Sequence, residues 1–416
     1  MLFFSDDQGT LDLGCYGSDD LHTPHLDALA ARGVRFTQSY TASPVCSPSR
    51  AALLTGRYPQ RAGLTTNAPL TREGGMPGSQ VTLAELLRDA GYRTALFGKW
   101  HLGNGAETDP NGQGFQQFFG HRVGCIDNYS HFFYWSGPHF HDLWRDRTEV
   151  HEDGKHFTEL VVREARRFVR ESGERPYFLY VPFNVPHYPM QPQAKYRERY
   201  ASLPEPRRSY AGSITSMDAA VGEILAEIDR RGQRERTLVL FLSDHGHSTE
   251  ERAGFQGGNA GPYRGAKFSL LEGGIRVPMI AAMPGRIPAG AVRDQLVTSV
   301  DLFPTVAELT GTPLPPRRID GRSLTPVLRS RSAPSPHPVF HWQLGDQWAV
   351  RQGDWKLVVN GVDTDHRQKL QGDERVMLSN LAEDATERRT RAADYPERVR
   401  QLTELHEEWT REVIRQ

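Results

Sequence analysis

Short apolar runs recur along the chain, separated by stretches in which apolar positions return every three or four residues. The first pattern is that of buried strands and the second that of amphipathic helices. Their alternation predicts an α/β sheet with helices on both faces. Leu2, Phe3 and Phe4 read as the first strand. Thr23 and Pro24 occupy the cap and first-turn positions of a helix that Gly33 ends. Thr82 and Glu85 have capping-box spacing, and Gly91 closes that helix. Residues 94–97, 177–181 and 238–242 read as further strands. Residues 158–170 form a helix with Leu160, Val161, Ala165, Phe168 and Val169 on one stripe, and residues 217–231 form another, ended by Gly232.

The texture changes after about residue 312. Prolines from Pro313 to Pro338 thin out regular structure. Residues 348–351 and 355–359 then read as a hairpin, and a charged helix starts near Pro396. The expectation is a main α/β domain over 1–312, with a large, mixed, mostly parallel sheet. A small subdomain with an antiparallel sheet and a terminal helix would fill 313–416.

Composition narrows the functional classes. The 416 residues carry a net charge of −1, without the basic excess of a nucleic-acid surface. The arginines between 163 and 170 read as a solvated helix face. No apolar run reaches the roughly 18 residues that span a membrane, and no export signal is visible at the start. The protein is therefore expected to be cytoplasmic, or else to lack its leader in this sequence and belong in the periplasm or outside the cell. Cys15, Cys46 and Cys125 lack zinc or disulfide spacing, and Cys15 and Cys125 read as small buried thiols.

Chemistry collects behind the strands. Asp6 and Asp7 follow the first. Lys99 and His101 follow the run ending at Phe97. His187 lies a short loop beyond Val181, and Asp244 and His245 follow Leu242. Ligands of open α/β sheets bind beyond the carboxyl ends of the strands, so these residues are expected at one edge. Asp6, Asp7 and Asp244 could together hold a hard divalent cation such as calcium or magnesium.

The segment from Cys46 to Arg57 reads CSPSRAALLTGR. Pro48 precedes the expected helix start at Ser49 and Arg50, so free backbone N–H groups there can face an anion, with Arg50 adding fixed charge. The segment resembles the signature of the type I sulfatases, Cys-x-Pro-x-Arg followed by a helix and Thr-Gly. That resemblance implies an alkaline-phosphatase-like fold. It also implies that Cys46 is oxidised to formylglycine by a formylglycine-generating or anaerobic maturation enzyme. One hydroxyl of the hydrated aldehyde then attacks sulfur and the other expels sulfate, which a serine could not do.

Other segments resemble the same family. By that resemblance Lys99 and Lys267 hold sulfate oxygens, His101 contacts the formylglycine, and His187 sits at the ester oxygen. One calcium ion is implied on Asp6, Asp7, Asp244, His245 and the residue at 46. At the position of His245 many members have Asn. A proton must reach the leaving oxygen, and His187 or Lys267 is its expected source.

Residues 121–144 are rich in His and aromatics. Residues 124–131, with Asp127, Tyr129 and His131, resemble those of arylsulfatases acting on N-acetylgalactosamine 4-sulfate. Asp127, His131 and Trp135, with His341, Trp342 and Trp348 from the C-terminal part, are expected to wall a sulfated carbohydrate. Two other readings compete. One is a phosphonate or phosphate ester hydrolase of the same superfamily. The other is a non-catalytic sulfoglycan-binding protein, which would predict loss of Cys46, Arg50, Lys99 or His187; all four are present.

Overall fold

The computed structural model describes residues 1–135, 137, 139–366 and 368–414. A ten-stranded sheet organises the main body. Its strands are β1 (Leu2–Asp6), β2 (Val34–Phe36), β3 (Arg93–Lys99), β4 (Gln117–His121), β5 (Trp144–Arg145), β6 (Thr148–Glu149), β7 (Tyr177–Pro186), β8 (Val239–Ser243), β9 (Met279–Ala282) and β10 (Ala291–Arg293). They lie in the order β10-β2-β9-β8-β1-β7-β3-β4-β5-β6. The stretch from β8 to β4 is wholly parallel, and antiparallel strands flank it on both sides.

Both faces are covered, which is why the central strands read as continuous apolar runs. Phe3, Phe97, Leu179, Val181 and Phe241 point to one face. There they meet α1 (Pro24–Ala31) and two longer helices, Phe157–Ser172 and Arg207–Arg230. Leu2, Phe4, Leu96, Tyr180, Leu240 and Leu242 point to the other, against α2 (Cys46–Thr55) and the helices Leu83–Asp89 and Leu302–Thr310. Thr82 and Glu85 form the expected capping box.

Two elements here depart from expectation. The second long helix begins at Arg207, not Met217, because its first turn is polar and Arg207 is tied to Asp12 and Asp20 instead of a core. The strand expected to stop at Val181 runs to Pro186. Gly33 stands directly after Arg32, the C-cap of α1, and ends that helix as expected. A side chain at Gly33 would meet the Ala281 carbonyl at 2.3 Å, so close approach to β9 requires the glycine.

Beyond the main sheet, β11 (Val339–Leu344), β12 (Gln347–Gln352), β13 (Trp355–Val359) and β14 (Val376–Asn380) form an antiparallel sheet. The terminal helix Pro396–Ile414 packs on it through Leu402 and Trp409. Phe340 and Trp342 join its core to Tyr40, Ala52 and Leu271 of the main body. Among the described residues no helix is long and apolar enough to cross a membrane.

Candidate active site

The edge expected from the sequence exists. β1 ends at Asp6, and the chain turns through Asp7 in the left-handed region at φ 62°. The turn lets Asp7 N–H donate to Asp244 Oδ1 at 3.1 Å, just past the end of β8. Lys99 is the last residue of β3, where Gly98 (φ 141°) lets the strand approach β7; a Cβ at Gly98 would lie 1.9 Å from the Pro182 carbonyl oxygen. His187 follows the end of β7 directly. Helix α2 starts at Cys46, not after Pro48 as expected, so the thiol sits in the first turn with the free N–H groups.

These side chains form one buried ionic cluster. Arg50 Nη2 donates to Asp6 Oδ1 at 2.9 Å and to Asp244 Oδ2 at 3.0 Å. Lys99 Nζ reaches both Asp6 oxygens, at 2.9 and 2.7 Å. Lys267 Nζ donates to Asp7 Oδ2 at 3.0 Å and lies 3.4 Å from His187 Nε2. His245 Nε2 is 3.3 Å from Cys46 Sγ. Ser47 Oγ donates to the carbonyl of His101, which ties α2 to the loop after β3.

Burial and charge set the protonation states. Burial would raise Asp6, but Lys99 and Arg50 hold it well below the usual carboxylate range. Burial pushes Asp7 up to about 6 against the pull of Lys267 and His245. Burial, then Lys99 and Arg50, keep His101 well below its ordinary value. Burial and Lys267 do the same to His187. Burial opposes the charge on Lys267, yet the Asp7 carboxylate holds its ammonium well above the ordinary lysine value. His187 Nδ1–H donates to the Tyr188 carbonyl at 2.6 Å, so the neutral ring turns the Nε2 lone pair toward Lys267.

The donor set fits a hard cation. Ligand atoms of Asp6, Asp7 and Asp244 lie within 4.8 Å of one another, and so do those of Cys46, Asp244 and His245. Asp7 Oδ1 is buried and accepts no hydrogen bond, an orphaned carboxylate oxygen that a cation would satisfy. His245 Nδ1–H donates to the Gly246 carbonyl, leaving Nε2 to face Cys46 and the two acids.

The expected carbohydrate wall is drawn differently. Asp127 spends one oxygen inside its own loop, accepting from Tyr129 N–H and Ser130, and the other on the distant Gln191 amide. His131 is fully buried, with Nε2 on the Lys155 carbonyl. Trp135 is half-buried against Tyr188, beside His187. His341 does not join Cys46: its ring stacks on Trp409 at 5.1 Å and lines a separate cavity with Tyr58 and Asp320. Trp342 is buried on the Thr41 carbonyl, and Trp348 stacks on His406. These aromatics pack around the small C-terminal sheet. Cys15 is only partly buried, whereas Cys125 is buried.

Some contacts were invisible in the sequence. Glu250 Oε2 lies 3.1 Å from Lys267 Nζ. The backbone around Lys267 is held from the C-terminal part: Gly265 N–H donates to Asp365 Oδ2 and Ala266 N–H to Thr364 Oγ1, each at 2.7 Å. Arg264 is paired with Asp363 and Glu374. No local spacing signals such long-range partners.

The sulfatase family profile matches residues 1–312, and that of the N-sulphoglucosamine sulphohydrolase C-terminal region matches residues 265–388. N-acetylgalactosamine-6-sulfatase of Canis lupus familiaris is 36% identical over 385 residues, covering 86% of this chain and 70% of that protein. Arylsulfatase A of Homo sapiens is 36% identical over 382 residues, covering 86% and 73%. The crystal structure of Ps i-CgsB in complex with k-i-k-neocarrahexaose superposes with a TM-score of 0.87 at 30% identity, covering 98% of this chain and 91% of that one.

Fold and comparisons together define the class, a hydrolase on a large mixed α/β sheet with its polar centre beyond the strand ends. The chain belongs to the sulfatase family, and it is a sulfuric ester hydrolase.

Proposed function

We propose that the enzyme releases inorganic sulfate from a sulfated carbohydrate, using a formylglycine made from Cys46 by a maturation enzyme and one calcium ion. The observation that carries this reading is the position of Cys46. The thiol lies buried in the first turn of α2, against His245, where the carboxylates of Asp6, Asp7 and Asp244 cluster and Arg50 pairs with Asp6 and Asp244. The sugar assignment draws on the Ps i-CgsB complex, whose ligand is an oligosaccharide.

Asp6, Asp7, Asp244 and His245 would hold the calcium, whose charge would draw a sulfate oxygen and the residue at 46 together. Formylglycine supplies a geminal diol, so that the nucleophile can be released from its sulfate adduct without water attacking sulfur. Arg50 stays paired with Asp6 and Asp244 and fixes both acids. Lys99 and Lys267 are the fixed cations for the sulfuryl oxygens. His101 stays neutral beside α2 and can accept a proton from the residue at 46. The neutral His187 presents a lone pair, so the proton for the leaving oxygen is assigned to Lys267, with His187 orienting its ammonium.

The test is mass spectrometry of the residue-46 peptide after co-expression with a maturation enzyme. Sulfate release from sulfated oligosaccharides is assayed on the same sample. Formylglycine with turnover that Cys46→Ala abolishes supports the reading. An unmodified cysteine in a fully active enzyme, or phosphonate cleavage without sulfate release, overturns it.

A further inference from the structure

Outside the active centre, the His-rich segment 131–153 holds a second group of potential ligands. His131, His141 and Asp153 offer ligand atoms that lie within 4.8 Å of one another. The two rings stand nearly perpendicular, at 82° with centroids 6.2 Å apart. His131 is 0% and His141 9% exposed, yet His131 Nδ1 and His141 Nε2 are both buried without a hydrogen-bond partner. Two orphaned imidazole nitrogens in one place are costly unless something binds them.

The other nitrogen of each ring fixes its tautomer. His131 Nε2–H donates to the Lys155 carbonyl at 3.1 Å. His141 Nδ1–H donates to Glu149 Oε1 at 2.9 Å. Both free nitrogens therefore carry lone pairs. A carboxylate on the far side of a histidine is also the arrangement that orients and strengthens imidazole ligands of zinc.

We infer that His131, His141 and Asp153 form a site for a zinc-type divalent ion, separate from the calcium cluster. Two imidazoles and one carboxylate suit zinc, whereas calcium prefers an all-oxygen set. Asp153 is exposed, which gives the ion an entry path and leaves the fourth position to solvent. The ion would fasten the hairpin Phe132–Phe133 and Phe140–His141 to the segment that leads into the helix Phe157–Ser172. Trp135 of this hairpin packs on Tyr188, so the fastened segment borders the catalytic centre.

The test uses the Cys46→Ala protein saturated with calcium, so that neither the thiol nor the carboxylate cluster competes. Zinc alone is titrated and bound metal is counted by plasma mass spectrometry after gel filtration. The expectation is one equivalent, with affinity falling about tenfold or more in Asp153→Asn and His141→Gln. Asp153 is exposed, so its variant should leave the circular dichroism and the calcium-dependent Tm unchanged and separates ligand loss from misfolding. No retained zinc, or equal binding in both variants, overturns the site. Loss in His151→Ala with Asp153→Asn unaffected overturns the ligand assignment, because it would move the ion to His141, Glu149 and His151.

Discussion

His245 Nε2 stands 3.3 Å from Cys46 Sγ, 3.5 Å from Asp7 Oδ1 and 3.6 Å from Asp244 Oδ1. One imidazole nitrogen thus faces Cys46 and two acids at once. A hard cation there accepts an amide oxygen at least as readily. His245→Asn is expected to keep sulfate release within about threefold, and His245→Leu to lose about 10–100-fold. Calcium should raise the Tm of the wild type and of His245→Asn, by about 2.7 kcal/mol in stability at one hundred times Kd. Thermal melts with and without chelator check this; a Tm indifferent to calcium would remove the ion from the account.

Lys267 is assigned the leaving-group proton. Lys267→Ala should therefore lower kcat/KM for a sugar sulfate by about 10²–10⁴-fold. An aryl sulfate with an acidic phenol needs no such proton and should suffer far less. Equal losses on the two substrates would make Lys267 only a sulfate-oxygen cation.

Asp365 and Thr364 accept from the successive backbone N–H groups of Gly265 and Ala266, just before Lys267. Asp365→Ala is expected to reduce kcat about tenfold with KM little changed. Its loss should be larger on sugar sulfates than on acidic aryl sulfates, echoing Lys267→Ala. A purely structural role would instead lower Tm and affect both substrates alike.

Glu387, Lys356 and Glu272 join the small sheet to the main body. Lys356 Nζ lies 2.9 Å from Glu272 and 3.1 Å from Glu387. Burial, with Glu272 adding repulsion, pushes Glu387 from 4.5 up to about 7 despite Lys356. The folded protein therefore keeps a proton that the unfolded chain loses. This contribution to stability is fully present below pH 4.5 and is lost as pH rises toward 7. Tm measured from pH 5 to 8 should fall, by about 1–3 kcal/mol in stability, and Glu387→Gln should flatten that slope.

The residues best read from sequence are those whose partners are local or whose strand is unmistakable. Cys46 and Arg50 share a helix, and Asp6 and Asp244 end apolar runs that could only be central strands. The start of the helix at Arg207 was hidden because its first turn faces charged partners rather than core. Asp127 and His131 were expected as carbohydrate contacts from residue type and from the resemblance of residues 124–131 to certain arylsulfatases. Their hydrogen bonds run instead within the segment 127–155 and to Gln191, and no periodicity reveals that. The support of Lys267 by Thr364 and Asp365 spans about a hundred positions, beyond any local signal.

Every residue of α2 is buried, Cys46 among them at 2% exposure. On the formylglycine reading, another enzyme must first take that thiol into its own active site. It cannot do so once β1 and β8 have closed over the helix. Conversion is then a race against folding: a chain that folds first keeps its thiol for good, however stable it is. Slower folding or earlier capture of the nascent segment, rather than greater stability, would raise the fraction of active molecules.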